Sequence, residues 1–408
     1  MKGQLKTSKL GREKPRLKGG YVPELDGVRG LAILFVLGNH IPLRQIQSLL
    51  PGGFIGVDIF FVLSGFLITT LLVQEFDRTG AINLRYFYTR RALRLGPALL
   101  VFLAVLCSLS FVLYDPARAR GNCRDALIAL FYLSNWVRVL SSNQLGLLAH
   151  TWSLSTEEQF YILWPLILLT LLRRSKSRYR ILVAAGAITL LSWLVNFYLA
   201  MHLASQRRLF LQLCFRFDSR VGTLMIGCML GVVYSSGLLT DKATRLLRKT
   251  LVFLAPVALA GLVVFSIYSY VIGGIFFYFG FGLVALLAAA LLLDVLLNPR
   301  GVFRRLMSMK WLVWVGSVSY GLYLWHWPIF YGMDRFGFKG WTVVLVGLPV
   351  TLVVVSLSYY LLERPMLRLK QRFTDNNKER TEENEALEAR PDRILSVDKA
   401  AGKNTLCA

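Results

Sequence analysis

Long apolar runs alternate along this chain with short basic stretches. A helix needs about 20 mainly apolar residues to cross a bilayer. Segments approaching that length lie at about 26–43, 54–76, 95–114, 122–140, 155–172, 181–200, 220–236, 251–270, 274–297, 311–332 and 341–362. Basic clusters follow the second segment (Arg85, Arg90, Arg91, Arg94), the fifth (Arg173, Arg174, Lys176, Arg178, Arg180), the seventh (Lys242, Arg245, Arg248, Lys249), the ninth (Arg300, Arg304, Arg305, Lys310) and the eleventh (Arg364, Arg368, Lys370). Cytoplasmic loops carry the excess of Lys and Arg. If every segment crossed, the clusters after the second and fifth would lie on opposite faces. Segment 122–140 is the weakest, with Arg124, Asp125, Asn135 and Arg138 inside it. The pattern therefore predicts an all-α membrane protein of about ten transmembrane helices plus one re-entrant or interfacial helix, with both termini cytoplasmic. One outer loop, carrying Arg207, Arg208 and Arg216, breaks the rule. It is either a tolerated loop or a surface for an anionic substrate.

Composition sharpens this picture. Of 408 residues, 55% are hydrophobic and 17% charged, against about 25% charged in a soluble domain, so an ordinary soluble enzyme is excluded. The net charge is +24. Residues 1–20 contribute seven basic residues and one acid, and residues 371–408 seven basic and eight acidic. Most of the excess thus lies beside the membrane, where it answers to anionic headgroups rather than to nucleic acid. The organisation expected is a basic cytoplasmic arm (1–20) without an apolar signal region, a membrane domain (21–370) and a polar, disordered cytoplasmic tail (371–408), in a multi-pass protein of the cell membrane. Five cysteines without a C-x-x-C pair and four histidines without H-x-x-x-H spacing give no basis for a metal site. No phosphate-binding glycine loop follows a strand pattern, so nucleotide hydrolysis is set aside.

Ionisable residues inside membrane segments face the protein interior or a wet cavity, because exposure to lipid is costly. In the first segment Arg29 and His40 are eleven residues apart, three helical turns and about 16 Å along one face. Asp26, one turn before Arg29, can pair with it. His40, near the outer end, suits a general base at neutral pH. Arg90, Arg91 and Arg94 form a cytoplasmic cation cluster, either a positive-inside anchor or a phosphate clamp. In Trp152–Pro165, Glu157 and Glu158 sit together near the mouth of a segment, and Glu157, Tyr161 and Trp164 share a helical face. Glu157 either orients His40 or binds an acceptor. Asp58 enters from the side of His40, where it either fixes the imidazole tautomer or is simply an acid at a helix start. Ser64 lacks the G-x-S-x-G surroundings of a hydrolase nucleophile. Further on, Ser319, Tyr320, Tyr323 and His326 put polar groups and a second histidine in the tenth segment, before the kink at Pro328.

In this order the strings resemble the integral-membrane acyltransferase family 3, over about residues 21–370. The marks are Arg29 and His40 with ten residues between them, GVDIFFVLSGFL at 56–67, RRALRLGP at 90–97, WSLSTEEQFY at 152–161 and SYGLYLWHWP at 319–328. The resemblance implies a cytosolic acyl-CoA donor, most often acetyl-CoA, and an acceptor hydroxyl on a carbohydrate or glycolipid at the outer face. Arg29 and His40 match its essential pair, and Arg91 and Arg94 its CoA side. We then expect CoA phosphates on Arg90, Arg91 and Arg94. His40 would act as base with Asp58 or Glu157 stabilising the imidazolium, and Glu158, Tyr161, Tyr320 and His326 would serve as acceptor-side or supporting groups. Both direct transfer and an acyl-enzyme fit these residues, and the sequence does not identify the oxyanion donor. Many relatives add an extracytoplasmic esterase-like domain, and the short tail here leads us to expect a stand-alone form. The competing class is a transporter in which Arg29, His40, Asp58 and Glu157 relay protons or ions.

Overall fold

A computed structural model of the protein describes residues 22–41, 50–141, 144–175, 177–203, 206–338 and 340–366. The basic arm and the polar tail expected at 1–20 and 371–408 lie outside the described residues. Within them, every regular element is helical.

The helices follow the apolar runs. The first seven are α1 (Pro23–His40), α2 (Ile55–Thr79), α3 (Leu84–Leu113), α4 (Pro116–Leu130), α5 (Ser134–Leu140), α6 (Trp152–Arg174) and α7 (Tyr179–His202), with a 3-10 turn (Gly146–Thr151) leading into α6. Then come α8 (Gln206–Phe215), α9 (Phe217–Ser236), α10 (Asp241–Ile275), α11 (Phe281–Leu297), α12 (Val302–Met307), α13 (Lys310–Ser317), α14 (Ser319–Arg335) and α15 (Leu348–Ser358). A π-helical turn precedes α15 at Val343–Gly347 and another follows it at Tyr359–Glu363. The loop expected around Arg207, Arg208 and Arg216 is largely the short α8, and Arg216 is paired with Asp218 just beyond it.

Seven of the described helices are long and apolar enough to cross a membrane. Their outward faces are apolar, with Val112 78%, Phe253 77% and Leu361 74% exposed, as hydrocarbon requires. Segment 122–140 does not form one rod. Tyr132 takes a left-handed backbone (φ 55°), and the chain breaks between the 15-residue α4 and the 7-residue α5, both too short to span. Helices α1, α6 and α14 fall outside the seven because they are short or carry charge: Glu24, Asp26 and Arg29 on α1, Glu157 and Glu158 on α6. Protein rather than lipid surrounds much of them, which removes the need to be apolar throughout.

Glycine makes that enclosure tight. A Cβ on Gly27 would come within 1.8 Å of Met307 O and one on Gly316 within 1.7 Å of Asp26 O, so α1 lies directly on α12 and α13. Helices α2 and α9 approach reciprocally: a Cβ on Gly65 would meet Leu224 O at 2.1 Å, and one on Gly227 would meet Val62 O at 2.0 Å. Small residues at such crossings bring backbones into contact where apolar lipid supplies no drive for association. Gly227→Val is therefore expected to lower the melting temperature in detergent by the equivalent of about 1–3 kcal/mol or more of overpacking. Gly121→Ala, where a Cβ meets nothing within 4 Å, should leave it unchanged or raise it slightly, since alanine is the better helix former.

Candidate functional site

Two polar centres sit inside the bundle, joined along α1 and α14. At the first, the C-terminal turn of α1 brings His40 to His326 on α14, with Nδ1 of His40 3.0 Å from Nε2 of His326. His326 is fully buried, and its Nδ1 is 2.7 Å from the carbonyl of Leu322. The indole of Trp327 meets the His40 ring edge-on at 4.8 Å and donates to Gly146 O at 3.0 Å. His150, from the 3-10 turn, lies 5.6 Å from the His326 ring. The Tyr323 hydroxyl donates to the His150 carbonyl and so accepts from Ser153, 2.5 Å away. Arg138 of α5 donates to Ala149 O at 2.6 Å, tying the lateral helix to the turn.

The second centre lies about 16 Å down α1 from His40. Arg29 pairs with Asp26 at 2.5 Å. Arg91 donates from Nε and Nη2 to a single carboxylate oxygen of Glu158 (3.0 and 2.8 Å) and lies over the Tyr161 ring. Ser64 donates to Glu157 at 2.8 Å, with Arg91 and Arg29 in the electrostatic surroundings of that carboxylate. Tyr320 donates to Leu95 O at 3.0 Å, in the turn of α3 that carries Pro97. Glu363, in the π-helical turn, packs its carboxylate against Gly321, where a Cβ would stand 3.2 Å from Oε1.

The three arginines of the RRALR string do different things. Arg90 lies 4.2 Å over Tyr86, and Arg91 is engaged by Glu158 and Tyr161. Arg94 is different. It retains exposed surface although its electrostatic neighbours Arg29, Arg91, Asp26 and Tyr161 come from α1, α3 and α6. Arg94 makes no hydrogen bond among the described residues, and the Glu363 carboxylate also lies in its electrostatic surroundings. Of the three it is the one that is both exposed and without a hydrogen-bond partner among the described residues.

Asp58 and Glu157 do not contact His40. Asp58 is wholly buried and bonded to Arg220 at 2.6 Å, with Thr223 at 3.5 Å. Glu157 faces Ser64. Neither acid meets the imidazole: the side chain that does is His326, while Asp58 and Glu157 each have a hydrogen-bond donor of their own. Arg220, His150 and Arg138 were not singled out from the sequence as site groups. An arginine inside an otherwise apolar run, four residues after Arg216, was the available signal for the first.

The Acyltransferase domain model matches residues 22–363. The chain belongs to the acyltransferase family 3. It is 32% identical over 357 residues to the O-acetyltransferase OatA of Staphylococcus aureus strain COL, covering 85% of this chain and 57% of that protein. A putative O-acetyltransferase of the same strain is 31% identical over 359 residues, and another from strain MSSA476 is likewise 31% identical, each with the same coverage. This chain thus spans a little over half the length of these relatives. No solved structure matches it. The family match runs from α1 through Glu363 and so takes in both polar centres.

Proposed function

We propose that this protein is a membrane O-acyltransferase that moves an acetyl group from cytosolic acetyl-CoA to a hydroxyl of a cell-envelope carbohydrate or glycolipid at the outer face. The observation that carries the reading is that a histidine pair, His40 with His326, and an exposed arginine, Arg94, lie in two polar centres of one bundle that the family match covers. The O-acetyltransferase names of the relatives favour acetyl as the group. In this reading α1, α2, α3, α6, α7, α9, α10, α11, the α13–α14 pair and α15 with its flanking turns make ten crossings, while α4 and α5 stay at the outer face. The basic clusters then fall inside, both termini are cytoplasmic, and His40 is outside.

CoA phosphates dock at Arg94, with Arg90 and Arg91 adding positive potential. The pantetheine arm runs past Arg29 toward His40. His40 takes the acceptor proton as the hydroxyl oxygen bonds to the thioester carbon. The carbon–sulfur bond breaks, and the departing thiolate takes the proton from the imidazolium, giving the acetyl ester and CoA thiol. Glu158 and Tyr161 hold Arg91 in place. Asp58 acts through Arg220 on the outer wall of the site. Ser64 and Glu157 line the passage between the centres.

Purified protein in lipid nanodiscs, given acetyl-CoA and an envelope carbohydrate, should release free CoA thiol only when both are present and add one acetyl mass to the carbohydrate. Ion or proton flux without acetyl-CoA, and no thiol release, would replace this reading with a transporter. Arg94→Ala removes one charge-assisted contact worth about 1.5–3 kcal/mol. It should raise KM for acetyl-CoA by about 10- to 100-fold with a smaller change in kcat, and Arg94→Lys should recover part of the loss.

A further inference from the structure

His326 and His40 form an ordered relay whose polarity follows from one backbone carbonyl. The Leu322 carbonyl, 2.7 Å from Nδ1 of His326, can only accept. Nδ1 of His326 therefore carries the ring hydrogen. A neutral imidazole has one N–H, so Nε2 of His326 is a bare lone pair. A second proton there would place a charge on a fully buried ring whose surroundings are the rings of Tyr323, His150 and Phe330 and whose bonded partners include no carboxylate. Burying a charge without a counter-ion is strongly unfavourable. Across the 3.0 Å contact the hydrogen must then sit on Nδ1 of His40. Nε2 of His40 is left as the basic nitrogen.

We propose that His326 is a positioning residue that fixes the tautomer and aim of His40, so that Nε2 of His40 receives the acceptor proton; this rests on the acyltransferase reading above. The arrangement differs from a triad, where a carboxylate holds the imidazole and stabilises its cation. Here the partner is a neutral ring and supplies no counter-charge. The proton taken from the acceptor hydroxyl consequently passes from Nε2 to the departing CoA thiolate as the carbon–sulfur bond breaks, rather than resting on His40. Trp327, edge-on to His40, and the carbonyl of Leu322 hold the two rings in register.

The test combines kinetics with a spectroscopic reading of the tautomer. The chain has four histidines, so nitrogen-15 histidine spectra of the protein in nanodiscs can be resolved, with His40→Asn identifying the His40 signals. The wild-type protein should show a protonated Nδ1 and a bare Nε2 at His40. His326→Leu should lower kcat about 100-fold or more, the scale of a lost base orientation, leave KM for acetyl-CoA within about 2-fold, and mix or invert the His40 tautomer. His326→Gln, whose amide oxygen can accept at the place of Nε2, should recover at least about 10-fold of that loss. A wild-type His40 protonated at Nε2 would overturn the proposal, as would unchanged kcat in folded His326→Leu. If His326→Leu does not fold, the wild-type spectrum and His326→Gln still decide. The tautomer is read without turnover, so the relay can stand or fall independently of the acyltransferase reading.

Discussion

Asp58→Ala is expected to destabilise the protein by about 3–5 kcal/mol, a large part of the roughly 5–15 kcal/mol that holds a typical domain folded. The reason is the state in which it leaves Arg220. That guanidinium is 1% exposed, bonds Asp58 through one nitrogen at 2.6 Å, and has neither Nε nor Nη1 hydrogen-bonded. Its nearest aromatic support is the Phe281 ring, 4.0 Å away, with Phe61 and Trp152 further out at 5.6 and 5.9 Å, and such a contact is worth about 2 kcal/mol when desolvated. Without the carboxylate the charge is uncompensated. Melting followed by size-exclusion fluorescence in detergent should show the loss for Asp58→Ala and a comparable one for Arg220→Ala. Asp58→Leu with Arg220→Met should recover most of it, because apolar residues of similar volume often replace a buried pair at no net cost. If that double variant also recovers acetyl transfer, Asp58 serves the site through packing alone. Recovery of stability without activity would place the Asp58–Arg220 pair in the chemistry.

Which helices were legible, and to what precision, follows from what lipid and protein each ask of a sequence. Helices facing lipid, such as α7 and α10, declare themselves by apolar composition, and the expected runs at 181–200 and 251–270 fall within them. Helix α3 starts at Leu84, about eleven residues before the expected run at 95–114, because Arg85, Arg90, Arg91 and Arg94 lower the hydropathy of a stretch that is helical all the same, with Arg91 paired inside the protein to Glu158. The break at Tyr132 was foreshadowed by the conflict among charge clusters and by Arg124, Asp125, Asn135 and Arg138 inside the segment. The division of the tenth segment into α13 and α14 at Val318 left no comparable trace.

The site divides in the same way. Arg29, Asp26 and His40 are legible because helical spacing links them on one segment. Arg91 and Glu158 were both named, but their pairing across 67 residues depends on how α3 and α6 cross. The His40–His326 contact spans 286 residues and joins two groups without opposite charge, so no complementarity advertised it. The acids Asp58 and Glu157 were the more natural partners on electrostatic grounds. They are engaged elsewhere, Asp58 by Arg220 and Glu157 by Ser64.

His40→Ala should reduce kcat for acetyl transfer by about 10²- to 10⁴-fold, the contribution typical of a positioned general base, while KM for acetyl-CoA stays near its wild-type value. The separation of effects is geometric. His40 is about 16 Å along α1 from Arg29, and Arg94, the exposed arginine, belongs to the Arg29 end. Loss of the base therefore leaves donor binding intact, whereas Arg94→Ala weakens binding and spares the proton transfer. Single-turnover release of CoA thiol, measured over a range of acetyl-CoA concentrations, separates the two. The double variant should show the product of the two defects, because sites more than about 10 Å apart without shared partners combine nearly additively in free energy. Added imidazole should restore part of the rate to His40→Ala, since the vacated volume lies beside the accepting Nε2 of His326. A His40→Ala protein that melts like wild type and still transfers acetyl at the wild-type rate would remove His40 from the reaction and, with it, the division of labour between the two centres.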